Sequence, residues 1–323
     1  MEMTNRLSFT DYKHCLLCPR ECGIDRTENK KGFCGETAQL RIASMGAHFG
    51  EEPPISGRNG SGTVFFSGCS LKCCYCQNYQ ISFQGLGKTY TCQQVADELL
   101  KLAVEKGIHN VNFVTPDHFF PHAVKIVELL RADNFSLPIL FNMSGYQKLE
   151  SIQSLKNYAD IYLPDYKYAD AKLAKALSSA EDYPEIALMA LSEMIKQKGF
   201  LDSFVADKEI ANRGVLVRHL LLPGQVQNSQ DVLTTLFLEF GRDIPISLMS
   251  QYYPPDEIIA SAAFQKSDFL QRTATISEFE EVYEHALKLG LNNLFVQFPE
   301  DFSSTEANTD FMPDFNRDKP FNK

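Results

Sequence analysis

From about residue 62 the chain alternates short apolar runs with longer stretches in which apolar residues recur at helical spacing. The runs cover residues 63–67, 111–114, 137–142, 161–165, 215–222 and 244–250, with a weaker one at 294–298. Runs of that length read as buried strands, and helices between them predict stacked βα units on a parallel sheet. The helical stretches carry start and stop signals. Thr91 with Gln94 forms a capping-box pattern ahead of Val95, Leu99, Leu100 and Leu102, and Gly107 ends it. Ser277 with Glu280 repeats the pattern ahead of Val282, Ala286 and Leu287, with Gly290 as the stop. Residues 183–198 place Ile186, Met189, Ala190, Met194 and Ile195 at helical spacing, a stripe that reads as core.

Six parallel strands with outer helices predict an α/β fold, a partial (β/α)6 barrel, with a doubly wound open sheet as the alternative. Either one gathers ligands at the carboxyl ends of its strands. Residues 1–60 differ: they are polar, contain Pro19, Pro53 and Pro54, and read as a small N-terminal cysteine-rich metal-binding module. Residues 61–299 form the barrel. Residues 300–323, rich in Asp, Asn, Ser and Pro, read as a loose C-terminal tail from which Phe302, Phe311, Met312 and Phe315 could dock.

Composition narrows the function. The 323 residues are 44% apolar, enough for a sizeable core. A net charge of -10 argues against a general polyanion binder, and no Lys/Arg run marks a nucleic-acid site. No apolar run reaches the roughly 18 residues of a membrane span. The start, MEMTNRLSFTDYKHC, lacks the apolar core of a signal peptide, so the expected compartment is the cytoplasm. A reducing cytosol keeps thiols free, and the nine cysteines are therefore not expected to form disulfides. Seven of them fall into two tight groups, Cys15, Cys18, Cys22 and Cys34, then Cys69, Cys73 and Cys76, with Cys74 beside the second. Such clustering indicates metal.

Cys69, Cys73 and Cys76 follow the first apolar run directly and have the spacing C-x3-C-x2-C. Short loops of this kind wrap thiolates around an iron-sulfur cluster. A tetrahedral zinc would need a fourth ligand, and Cys74, adjacent to Cys73, could supply one only with strain. Three ligands on a four-iron cluster leave one iron open to a substrate. Cys74 and Cys92 read as packing cysteines. Polar residues also stand where the later runs stop: Thr115, Asp117 and His118; Asn142 and Ser144; Asp165 and Lys167. Arg218 lies inside the fifth run, and a buried guanidinium there needs an anion, either a protein carboxylate such as Asp165 or one from the ligand.

The motif with its aromatic, Cys73-Cys74-Tyr75-Cys76, resembles the signature of the radical S-adenosylmethionine (SAM) superfamily. CLLCPRECGIDR, GFCGE, HFGEEPPISG, GSGTVFFSGCSLKCCYCQNYQIS, NFVTPDHF, NMSGY, DIYLPDYKY, VRHLLLPG and ISLMSQYYP are similar to one subgroup, named after and related to the activating enzyme of pyruvate formate-lyase. The resemblance implies a catalytic 4Fe-4S cluster on Cys69, Cys73 and Cys76 whose open iron chelates SAM. Reductive cleavage then gives a 5'-deoxyadenosyl radical that abstracts hydrogen from a substrate. It further implies SAM-binding roles for Asp165, Lys167 and Arg218, to which Asn78, Thr115 and Asn142 are added as neighbours of the cluster and strand ends. The glycine-rich loop that relatives carry after the second strand is replaced by Val114-Thr115-Pro116-Asp117. Expected partners are an electron donor such as a flavodoxin or ferredoxin and, in an activase, a protein substrate.

Cys15, Cys18, Cys22 and Cys34 supply four thiolates, enough for a structural zinc or an auxiliary 4Fe-4S cluster. Arg20 and Arg26 stand near enough in sequence to balance such a site. His48, Glu51 and Glu52 read as a solvated loop, and His219 as either structural or functional. The alternative to an enzyme is an iron-sulfur or zinc protein for electron transfer or assembly.

Overall fold

The computed structural model describes residues 7–205, 208–254, 267–299, 313–317 and 319–321. Its strands are β1 (Arg41–His48), β2 (Ser61–Phe66), β3 (Lys88–Thr89), β4 (Val111–Val114), β5 (Ile139–Met143), β6 (Ile161–Pro164), β7 (Gly214–Val215), β8 (Val217–Leu220), β9 (Ile246–Met249) and β10 (Leu294–Val296). They form a seven-stranded sheet in the order β3-β1-β2-β4-β5-β6-β7 and a three-stranded sheet in the order β10-β9-β8. From β2 to β7, and from β8 to β10, every pairing is parallel.

The two sheets are one curved wall. β7 and β8 are a single run interrupted at Leu216, and Asp165, just past β6, bridges Arg218 in β8. The Tyr166 N–H donates to the Arg218 carbonyl at 2.8 Å. Helices Cys92–Lys106, Phe120–Ala132, Tyr183–Lys198, Val226–Phe240 and Ile276–Leu289 supply the larger crossovers. The fold is thus α/β with a mostly parallel sheet, the partial barrel that the apolar runs predict, and the weak run at 294–298 contains the genuine strand β10. β2, β4 and β6 are buried along their whole lengths, which is why they read as unbroken apolar runs.

Some details differ from the sequence pattern. β1, inside the segment read as a cysteine-rich module, pairs antiparallel with β2 and carries β3 on its other edge. Ile42 is its one buried residue, so it gives neither an apolar run nor an alternation. Helix Cys92–Lys106 has the Thr91/Gln94 box and the Gly107 cap. Helix Ile276–Leu289 starts two residues earlier than expected, on a Thr275/Glu278 box rather than Ser277/Glu280. Glu278 also accepts from the Gly224 N–H at 2.7 Å and pairs with Arg272, and these bonds select the earlier of two overlapping boxes. In helix Tyr183–Lys198, Met189 faces solvent, 45% exposed, instead of the core. Phe315 docks against Phe65, Ile81 and Val114; Phe302, Phe311 and Met312 lie outside the described residues. Among the described residues no helix is long and apolar enough to cross a membrane.

Candidate functional site

The carboxyl ends of the parallel strands surround a cavity of about 480 Å³. Its wall contains Cys69, Cys73 and Cys76, and with them Asn78, Thr115, Asn142, Asp165, Lys167 and Arg218. Residues scattered over 150 positions of sequence meet because each ends, follows or sits within a strand of one parallel sheet.

The cysteine loop leaves β2 through Gly68, whose φ of +81° is open to glycine. A Cβ there would stand 2.6 Å from Glu36 Cγ and 2.7 Å from the Cys34 carbonyl oxygen. The loop is arranged around sulfur acceptors. Cys69 Sγ accepts from the N–H groups of Leu71 and Lys72 at 3.4 Å each, and Cys76 Sγ from the Ser82 hydroxyl at 3.3 Å. Tyr75 packs edge-on against Tyr168 and Tyr252, and the Tyr168 hydroxyl donates to that of Tyr75 at 2.9 Å. Cys74 is buried off the cavity, its N–H bonded to the Leu177 carbonyl, and Cys92 packs with its thiol toward the His122 carbonyl. Burial pushes the Cys76 thiol up to about 11 and Cys69 higher still. Thiols in that setting ligate only when a cationic centre compensates for the lost water, and the donors already aimed at the sulfurs fit an iron-sulfur cluster.

On the facing wall Lys167 Nζ contacts Asp165 Oδ2 at 2.5 Å. Burial acts to lower the Lys167 pKa, but Asp165 and the nearby cysteines outweigh it and keep the ammonium charged. The Tyr183 hydroxyl holds this turn, donating to the Ser144 carbonyl and accepting from the Lys167 N–H at 3.0 Å. Thr115 has φ +55°, a left-handed conformation rare for a β-branched residue, and its N–H donates to the Asn142 carbonyl at 2.9 Å. It stands in the Val114-Thr115-Pro116-Asp117 segment, and its positive φ is a strained conformation at the edge of the cavity.

Arg218 does not use Asp165 as its partner. Its guanidinium donates to Glu52 Oε1 at 2.8 Å and makes close contacts to Glu51 Oε2 and Glu52 Oε2. Glu51 and Glu52 are therefore buried ion-pair partners on the cavity wall, not the solvated loop that their sequence suggested. Asn112 Nδ2 also donates to Glu51, at 2.8 Å. Desolvation pushes the Glu52 carboxyl up, Arg218 pulls it down, and the guanidinium wins.

Asp117, His118 and His219 are fully buried and off the cavity wall. His118 Nε2 donates to the Ser67 carbonyl, and His219 Nδ1 to the Tyr166 carbonyl, both structural bonds. Desolvation holds Asp117 up at about 7. The wall also contains Gln251, in the Met249-Ser250-Gln251-Tyr252 segment after the sixth apolar run where the resemblance places a ligand contact, and Gln297 and Phe321, which the sequence pattern did not mark. The Oε1 atoms of Gln251 and Gln297 are buried without a hydrogen-bond partner. Position after β10 is the one signal that could have flagged Gln297 as well.

Cys15, Cys18 and Cys34 are buried and Cys22 partly so. Cys34, Cys15 and Cys22 are the electrostatic neighbours of Cys18, whose thiol burial pushes up to about 12. The Phe33 N–H donates to Cys22 Sγ at 3.3 Å. Arg26 lies beside this group, 1% exposed, with Nη1 3.7 Å from Cys15 Sγ. Its other bonds go to the carbonyls of His118 and Thr37, its guanidinium lies over Tyr12 and Phe119, and Nε has no partner. No ion pair with a carboxylate accompanies it among the described residues, so the anion it suits is thiolate sulfur. Arg20 departs from the expected role: it donates to the carbonyls of Ser70, Leu71, Ser178 and Ser179 and so clamps the second cysteine loop. Among the described residues no three His, Cys, Asp or Glu side chains converge on the position of one metal ion, which holds for both cysteine groups.

A relative from Methanocaldococcus jannaschii, itself an uncharacterized protein, is 28% identical over 289 residues, 88% of this chain and 77% of that one. Among solved structures, methylornithine synthase (PylB) aligns with a TM-score of 0.40 at 14% identity, covering 71% of this chain and 68% of the synthase. SuiB of Streptococcus suis, solved with S-adenosylmethionine, aligns at 0.46 and 10% identity over 71% of this chain. The alignment spans 47% of SuiB. Residues 63–226, just over half of the chain and the part that carries all three cavity cysteines, match the Radical SAM superfamily, and the chain belongs to that superfamily.

Proposed function

We propose that the chain binds a four-iron cluster through Cys69, Cys73 and Cys76 and SAM in the cavity beside it, and abstracts hydrogen from a substrate admitted to the same space. The observation that carries this reading is that the three cysteines share one cavity with Asp165, Lys167, Asn142 and Thr115. When bound, the cluster supplies the electron that divides SAM into methionine and a 5'-deoxyadenosyl radical. The chain's own residues do the rest. Asn78, Thr115 and Asn142 offer hydrogen-bonding groups to the methionyl and ribose parts, and the Asp165–Lys167 pair presents one charge of each sign. Arg218 acts by fixing Glu51 and Glu52 on the wall. Phe65, Val114 and Phe321 give that wall its apolar part and exclude water from a radical.

The subgroup related to the pyruvate formate-lyase activating enzyme is the one whose motifs the chain carries, and in the activase version the hydrogen donor is a glycine residue of a partner protein. Cys15, Cys18, Cys22 and Cys34 are assigned a second iron-sulfur centre, supported by Arg26 as counter-charge and by the hydrogen bond from the Cys69 N–H to the Cys34 carbonyl. Zinc is the other metal that four thiolates could hold, and metal content distinguishes the two.

The test is 5'-deoxyadenosine formation by anaerobically reconstituted protein given dithionite and SAM. Product from the wild type and none from Cys76→Ala is the expected result. Retained cleavage in Cys76→Ala removes the assignment. A glycyl-radical signal in a mixed partner protein, read by electron paramagnetic resonance, decides the activase version. An electron-transfer protein would instead bind iron and sulfide without binding SAM.

A further inference from the structure

A second cleft, of about 350 Å³, opens on the cysteine loops and shares no lining residue with the SAM cavity. Its floor includes Cys34 of the first cysteine group, Gly68 next to Cys69, and Ser82, whose hydroxyl bonds Cys76 Sγ. Both cysteine groups thus approach this one stretch of surface. Its rim is apolar and cationic together. Phe33 is 40% exposed and Phe83 44% exposed. Lys72 Nζ lies between the two rings, 5.9 Å from the Phe33 centroid and 5.8 Å from that of Phe83. Arg20 lies over Phe33 at 4.0 Å, and exposed Lys31 lines the cleft. Arg41 is also present but neutralises Glu36.

The local charge opposes that of the whole. The chain carries a net charge of -10, yet Lys31, Lys72 and Arg20 stand around two exposed rings here. Cations held against aromatic faces with the rings open to solvent suit an acidic protein partner with an apolar centre to its contact. The position says what that partner does. A carrier seated on the cleft stands over Cys34 and beside the loop of Cys69 without entering the cavity proposed for SAM and substrate.

We propose that the Phe33–Lys72–Phe83 platform is the docking site of an acidic one-electron carrier protein, of the flavodoxin or ferredoxin class. The inference rests on the radical SAM reading above. One electron leaves the reduced carrier, which is oxidised by one equivalent, and enters the iron-sulfur centre behind the cleft floor. Because the rim is charged, docking weakens as salt rises.

The experiment uses the reconstituted full chain with a reduced flavodoxin and, separately, a reduced plant-type ferredoxin. Binding is measured by titration calorimetry with the oxidised carriers at low and high salt. Carrier oxidation and 5'-deoxyadenosine formation are followed optically and by chromatography. Lys31→Glu and Phe83→Ser are compared with the wild type, with iron content verified for each. At least one carrier should bind, and each variant should lose about tenfold or more in carrier affinity and carrier-driven reduction while dithionite-driven turnover stays within about twofold. Failure of both carriers to bind, or variants that bind as the wild type does, overturns the platform. Equal loss with carrier and with dithionite also overturns it, since the defect then lies in the cluster loop. Absence of dithionite-driven product in the wild type counts against the radical SAM reading alone, because the binding arm still decides the docking site.

Discussion

The main-chain N–H of Cys69 donates to the carbonyl of Cys34 at 3.2 Å, so one residue from each cysteine group shares a single hydrogen bond. Under the proposed assignment, a change of metal at either group would be felt at the other through the backbone.

Metal counting tests this link. Cys18→Ala should lower bound iron by about four atoms per chain if the amino-terminal group holds a four-iron cluster, and zinc by about one if it holds zinc. The paramagnetic signal of the remaining reduced centre should shift as well. A variant with unchanged metal content and signal would remove the second site.

Gly68→Ala should be severe for so small a change in a loop. The added methyl meets Glu36 and the Cys34 carbonyl at under 3 Å, in a backbone region that alanine avoids. A loss of about 2 kcal/mol or more in urea unfolding is expected, with reduced iron uptake. Wild-type stability in this variant would mean that the two loops separate freely.

Arg218→Ala strands two buried carboxylates. The expected cost is about 3–5 kcal/mol by denaturant titration. A double change, Arg218→Met with Glu52→Gln, should recover part of it, because less buried charge is then left unpaired. A single variant as stable as the wild type would show that Glu51 and Glu52 swing out to water.

Asp117 gives a pH dependence of defined sign. Its carboxyl is held up at about 7 by burial, with Asp165 adding to the effect, against an ordinary 3.8. The unfolded chain releases this proton first, so the contribution to stability is complete below about pH 4 and is lost as pH rises through about 7. Asp117→Asn should therefore gain on the wild type between pH 5 and pH 8, by at least about 1 kcal/mol. Parallel stability curves over that range would refute the buried-acid assignment.

How much of this was legible in the sequence depends on what each residue had to signal. β2, β4 and β6 are buried on both faces, and unbroken apolar runs announce such strands. The cysteine triad and the polar residues that end those runs were legible for the same reason, since a parallel sheet brings its strand ends together whatever their separation in sequence. Glu51 and Glu52 were not. A pair of glutamates before two prolines has the composition of a solvated loop, and only the antiparallel strand β1, nearly silent in hydropathy, carries them to Arg218. Gln297 was hidden likewise, because an amide on a cavity wall has the same sequence appearance as one in water.

The clamp formed by Arg20 bears on where the chain can be cut. Four carbonyls, two of them in the second cysteine loop, take their hydrogen bonds from a residue more than 40 positions upstream of the matched superfamily segment. β1 and the Glu51–Glu52 pair are likewise supplied from before that segment. Residues 63–226 cut out alone would keep the cysteine motif and lose the bonds that shape it. A truncation placed at the start of the matched segment therefore removes a structural support of the cysteine loop, and the shortest piece that holds the loop in shape begins before Arg20.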